Sequence, residues 1–155
     1  MATVIANLDD LKAMVGQEVG VSGWLTVSQE QITAFAELTG DRQWIHVDPV
    51  RAAAESPYGC TIAHGFFTLA LISRLHAEAV DVRGACSRVI NYGINRVRFP
   101  SPVVAGASIR AHSTLHAIEA QTEYLQTTWQ VTVEVNGQTR PALVAEWVLR
   151  LYCKA

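Results

Sequence analysis

Residues 60–79 read CTIAHGFFTLALISRLHAEA, the most apolar segment of the chain. Phe66, Phe67, Leu69, Leu71, Ile72 and Leu75 do not keep to one face of a helix. A helix that is apolar nearly all round is one that other elements cover, so this segment is expected at the centre of the fold. Beyond Gly84 the apolar period changes from helical to two. In TEYLQTTWQVTVEV, residues 122–135, Leu125, Thr127, Trp129, Val131, Val133 and Val135 alternate with Tyr124, Gln126, Thr128, Gln130, Thr132 and Glu134. That is the pattern of an antiparallel strand with one buried face. Asn136-Gly137 predicts a hairpin turn, and the return strand carries Leu143, Ala145, Trp147, Leu149 and Leu151 on one face. CSRVINYGINRVRF (86–99) and ASIRAHSTLHAIEA (107–120) read as two further long strands, and SGWLTV (22–27) as a shorter one. One buried helix and about five antiparallel strands make an α+β packing, a sheet wrapped round a helix. Edge strands of this length would stand open in a monomer, which predicts side-by-side pairing of two copies.

The segments before the central helix are read from their caps. Asn7 suits the start of a short helix ending near Gly16. Ser28 and Gln31 form the S-x-x-Q capping box of a second helix, with Ile32, Phe35, Ala36 and Thr39 on one face and Gly40 as its stop. Asp48-Pro49 fits the N-cap and first turn of a small helix around VRAAAE, residues 50–55. Between them residues 40–47 are expected to be a non-helical loop.

At 155 residues, half of them apolar, the chain fits one domain over residues 1–155. A formal charge of −2, from 12 basic and 14 acidic residues, offers no basic face for nucleic acid. The N-terminus MATVIANLDD lacks a basic region followed by an apolar run, and no stretch spans a bilayer free of charge, so no membrane partner is expected. Cys60, Cys86 and Cys153 lack CxxC spacing. Neither a disulfide framework nor a thiolate zinc site is expected, and a reducing cytoplasm fits best.

The loop TGDRQWIHVDP, residues 39–49, gathers the polar groups. Asp41 and His46 can turn toward one point and share one water, a carboxylate raising the basicity of an imidazole that titrates near neutral pH. The other reading stays open: Asp41 stabilises the turn after Gly40 and His46 packs half-buried. His112 and His116 share a strand face without a third ligand at metal spacing, so no metal site is expected. Trp24, Trp129 and Trp147 are expected in the core, whereas Trp44 stands inside the polar loop.

FAELTGDRQWIHVDP (35–49) together with IAHGFFTLALISRL (62–75) resembles the MaoC-like dehydratase family, the (R)-specific enoyl-CoA hydratases of the hot-dog fold. The likeness runs from about Gly23 to the C-terminus and includes NYGINRVRFPSPV, residues 91–103. It implies that Asp41 and His46 activate the water that adds across the double bond. It also implies that the Gly65 amide binds the thioester oxygen; the first amides of a helix are unpaired and lie at the positive end of its dipole. Gln43 and Trp44 depart from the family's common Asn-Pro, which bears on the acyl pocket that these two residues are expected to line. His64 is expected to fix the turn by hydrogen bonding. Ser73, eight positions beyond Gly65, either orients Asp41 or bonds its own preceding turn. Of Arg88, Arg96 and Arg98, Arg98 is the candidate for the phosphates of coenzyme A. The resemblance thus implies a homodimer or dimer of dimers that needs no cofactor and hydrates an acyl-CoA or acyl-carrier-protein thioester. A hot-dog thioesterase and a non-catalytic acyl-thioester-binding partner are the alternatives.

Overall fold

The period-two segments pair as one antiparallel sheet. In the computed structural model, which describes residues 1–153, the sheet runs β2 (Glu18–Val21), β6 (Ser108–Ala120), β7 (Leu125–Val135), β8 (Leu143–Cys153) and β5 (Cys86–Arg98), with β3 (Leu25–Thr26) also on β6. Trp129 faces Trp147 across β7 and β8. On β7 every second residue from Leu125 to Val135 is buried, as the alternation requires. A separate parallel pair joins β1 (Thr3–Val4) to β4 (Val80–Asp81). The hairpin turn forms at Asn136-Gly137, where Gly137 has φ 78°. The connection is longer than a two-residue turn, however, because β8 begins only at Leu143.

The helices obey their caps. In α1 (Leu8–Ala13) the Asn7 side chain accepts from the Asp10 amide. Ser28 and Gln31 close a reciprocal capping box on α2 (Gln29–Thr39), which Gly40 ends in the left-handed region at φ 81°. The Asp48 side chain accepts from the Arg51 amide at the start of α4 (Pro49–Glu55). Between α2 and α4 the expected irregular loop contains a one-turn helix, α3 (Trp44–Val47). Four residues are too few to register a helical period in sequence.

The central helix α5 (Gly65–Ala79) lies on the sheet, packing mainly against β6 and β2. Its end passes so close to β2 that a side chain at Gly20 would strike the Ala79 carbonyl. Thr68, Ile72, Leu75, His76 and Ala79 are buried. The expectation of a helix covered all round is corrected: Phe66 is 72% exposed, and Ser73 and Ala77 also face outward. The sheet curls round one side of α5 and leaves the side toward β5 uncovered. Strand β5 is itself exposed over most of its length, with Val89, Ile90, Tyr92 and Ile94 outward.

Two further expectations are corrected. Trp24 is half-exposed, with the Arg110 guanidinium 4.5 Å above its ring, because β3 lies at the rim of the sheet. Cys86 and Cys153 form a disulfide across β5 and β8, whose register sets them opposite each other although 67 positions separate them in sequence. Cys60 stays free.

Candidate active site

Gly40 lets the chain leave α2 sharply, and its amide bonds the Ala36 carbonyl. Thr39 Oγ1 then accepts from the Asp41 amide at 3.4 Å. Asp41 follows with its side chain exposed, while its carbonyl is held from the other side of the site by His64 Nε2 at 2.9 Å. Five positions on, α3 carries His46 inward until only 8% of it is exposed. His46 Nδ1 lies 2.7 Å from the Ile62 carbonyl. A carbonyl only accepts, so the proton sits on Nδ1 and the lone pair on Nε2. In the same way His64 donates from Nε2 to Asp41, leaving a lone pair on its buried Nδ1, for which no partner is found among the described residues.

One polar side-chain atom from each of Asp41, His46 and His64 lies within 4.8 Å of the other two. Two hydrogen bonds of ~2.8 Å meeting at a tetrahedral water oxygen span about that gap, so one water can bridge carboxylate and imidazole. Burial lowers the pKa of His46 and a charge on His64 would lower it further, against the Ile62 carbonyl and Asp41, which raise it. His46 is therefore neutral near pH 7, as a general base must be. The three side chains have the donor types of a metal site, but the two imidazoles are stacked, with centroids 3.8 Å apart and planes at 25°. Their lone pairs lie in those planes and do not converge on one ion as a tetrahedral site needs.

Local bonds fix the pair. Gln29 Nε2 donates to the His46 carbonyl at 2.8 Å, and Gln29 Oε1 accepts from Thr61 Oγ1. The Ile62 amide bonds the Ile45 carbonyl, tying α3 to the segment that enters α5. Phe35 also packs on His64, with ring centroids 5.1 Å apart. Gln29 and the Ile62 carbonyl are absent from the residues singled out in the sequence, and Phe35 is read there only as part of a helix face. A glutamine just inside a capping box reads only as a helix start, and a backbone acceptor has no residue signature.

The remaining candidates are dispersed. Gly65 is the first residue of α5, beside His64, and a Cβ there would come within 3.2 Å of the Phe99 ring. Trp44 is half-buried beneath the Arg51 guanidinium, 4.5 Å from the ring centroid, and Gln43 is exposed at the N-cap of α3. Ser73 makes no hydrogen bond to Asp41 and faces a groove with Asn91 and Trp147. Arg98 is exposed at the end of β5 and turns one guanidinium N–H to the Val97 carbonyl.

One long helix on a curled antiparallel sheet, with an acid–imidazole loop tied to the helix N-terminus, defines a hot-dog protein, and that loop is its candidate acid–base site. A family model described as the MaoC like domain matches residues 10–137, and the chain belongs to that family. It is 51% identical over 145 residues to 3-hydroxyacyl-thioester dehydratase Z of Mycobacterium tuberculosis, covering 93% of this chain and 95% of that protein. It is 45% identical over 143 residues to nodulation protein N of Rhizobium leguminosarum bv. viciae, covering 92% and 89%. Among solved structures, the (R)-hydratase of A. caviae involved in PHA biosynthesis superposes with a TM-score of 0.69 at 25% identity, covering 88% of this chain and 96% of that one.

Proposed function

We propose that this chain hydrates trans-2-enoyl thioesters reversibly to (R)-3-hydroxyacyl thioesters. The observation that carries the reading is His46: buried, its Nδ1 proton committed to the Ile62 carbonyl, and its side chain within 4.8 Å of the Asp41 carboxylate. The family and the dehydratase relative support the same reaction class on acyl thioesters.

In the forward direction a water sits between Asp41 and His46. His46 Nε2 takes a proton as the water oxygen bonds to C3. The C2–C3 π electrons move toward the thioester carbonyl, whose oxygen gains charge. The Gly65 amide at the N-terminus of α5 stabilises that oxyanion, a contribution of roughly 10²–10³ in rate for one such donor. The proton then passes from the pair to C2 on the same face, so one water is added and the site returns to its starting state. The carrier is coenzyme A or an acyl-carrier protein, with Arg98 meeting phosphate and Gln43 bordering the mouth of the site; His64 positions Asp41 through its carbonyl, and Ser73 lines the groove beside α5.

The assembly belongs to this reading. Strand β5 is a long sheet edge with Val89, Ile90, Tyr92 and Ile94 outward, and α5 is uncovered on the same side. A second copy pairing along β5 would cover both, giving a homodimer or a dimer of dimers. No helix among the described residues is long and apolar enough to cross a membrane.

Loss of the conjugated-thioester absorbance of crotonyl-CoA on adding the protein tests the function, with a free-thiol assay run beside it. Hydration without thiol release is expected; thiol release without hydration would make the protein a thioesterase, and neither would leave a binding module.

A further inference from the structure

A cavity of about 390 Å³ opens between α5 and the β5–β8 end of the sheet. That size falls within the roughly 300–1,000 Å³ usual for small-molecule sites. Its walls include Val89, Trp129, Trp147, Leu149 and Leu151, and its far mouth is bordered by Asp81 and Arg83, which are ion-paired with each other. A shallower groove shares Ser73, Asn91 and Trp147 with it and leads past Leu69 to Phe66, beside the first residue of α5. Cavity and groove together follow α5 from Phe66, the neighbour of Gly65, to its last turn.

Of the polar residues in this lining, His76 is the one that is buried. His76 is 8% exposed, with the rings of Trp129 and Trp147 edge-on at 4.6 and 5.3 Å. Its Nδ1 lies 2.9 Å from Ser113 Oγ, and no partner is found for its Nε2 among the described residues. The Nε2 atom is not sealed off, so it is open to a partner within the cavity. Water can fill that place, and a polar group on a bound chain can displace it.

We infer that the groove seats the acyl chain and that His76 selects chains bearing a hydroxyl group remote from the reacting carbons. This rests on the thioester hydration proposed above. Gly65 and His76 are eleven positions apart, about 16 Å of helix, and side chains lean toward the helix N-terminus, so a chain of on the order of ten carbons reaches the ring. A hydroxyl is the fitting group for two reasons. Burial lowers the pKa of His76 to about 4, so near pH 7 the ring is neutral and offers a carboxylate no opposite charge. Ser113 Oγ can either accept from Nδ1 or donate to it, so Nε2 is correspondingly an acceptor or a donor, and a hydroxyl can answer both.

The test compares trans-2-decenoyl-CoA with its ω-hydroxy analogue on the wild-type protein, with crotonyl-CoA beside them. A kcat/KM about tenfold higher for the hydroxylated chain, expressed mainly in KM, is expected from one net hydrogen bond. His76→Leu should reverse that preference, and His76→Gln, which keeps a polar group, should retain part of it. Crotonyl-CoA turnover with equal use of the two decenoyl thioesters by the wild type would overturn the inference and leave the function standing. No turnover of any enoyl-CoA would overturn both. If His76→Leu fails to fold, the wild-type ratio and His76→Gln decide; an unchanged ratio in His76→Gln and in any folded His76→Leu protein would also overturn it.

Discussion

His46 and His64 lie face to face, their ring centroids 3.8 Å apart, and each gives one N–H to a backbone carbonyl, His46 to Ile62 and His64 to Asp41. The two bonds cross. The histidine from α3 is fixed by the segment entering α5, and the histidine capping α5 fixes the residue leaving α2. Asp41 and His46 thereby keep their separation although they sit on a short surface segment.

Asp41→Asn and His46→Ala should each give a folded protein whose hydration rate falls by about 10²–10⁴, since each removes half of a unit that acts on one water. Steady-state kinetics on crotonyl-CoA with a circular dichroism melt would show it. Near-normal turnover by either variant would mean that the pair is misassigned.

The pH profile follows from the burial of His46. Its pKa is lowered, chiefly by desolvation, so the neutral base persists below the ordinary imidazole value. The acid limb of kcat/KM should therefore lie below pH 6.5. Asp41 raises the His46 pKa, so the residual activity of Asp41→Asn should have its acid limb at still lower pH. An acid limb above 6.5 in the wild type would contradict the account.

Stability should share an acid limb through His76. The folded ring has a pKa of about 4 against 6.5 for the unfolded chain, so between those values the unfolded state binds more protons. The contribution is complete above pH 6.5 and is lost as pH falls toward 4, roughly 3 kcal/mol in all. Denaturation midpoints across that range would follow it, and the slope should flatten in His76→Gln.

Much of this was legible locally. The caps at Asn7, Ser28 with Gln31, and Asp48-Pro49 each depend on residues within three positions, and all three form. The alternation on β7 survives because a single slip would turn Trp129 and three valines to solvent. What sequence did not carry depends on distant register or on backbone atoms. The Cys86–Cys153 disulfide needs β5 beside β8, the exposure of Trp24 needs β3 at the rim, and the tautomer of His46 is set by the Ile62 carbonyl. The family motif identified Asp41 and His46 as a pair, whereas nothing local revealed that Gln29 would hold the base.

Trp44 stands where the family commonly has proline, and its half-buried ring under Arg51 favours an anchor between α3 and α4 over a wall of the acyl pocket. Trp44→Ala should therefore cost stability, though less than the roughly 3–5 kcal/mol of a fully buried Trp→Ala change, and lower activity on short and long enoyl-CoAs alike. A shifted chain-length profile with an unchanged melting temperature would return Trp44 to the pocket wall.

The open edge at β5 predicts a dimer, or a dimer of dimers, in sedimentation at micromolar concentration. A stable monomer that turns over enoyl-CoA would refute the pairing.

The most direct test of the central claim is the configuration of the product that the wild-type protein makes from crotonyl-CoA. Water delivered by His46 beside Asp41, with the thioester oxygen at the N-terminus of α5, should yield (R)-3-hydroxybutyryl-CoA, measured by chiral chromatography after hydrolysis. A predominantly (S) product, or free coenzyme A and crotonate with no hydroxyacyl product, would contradict it.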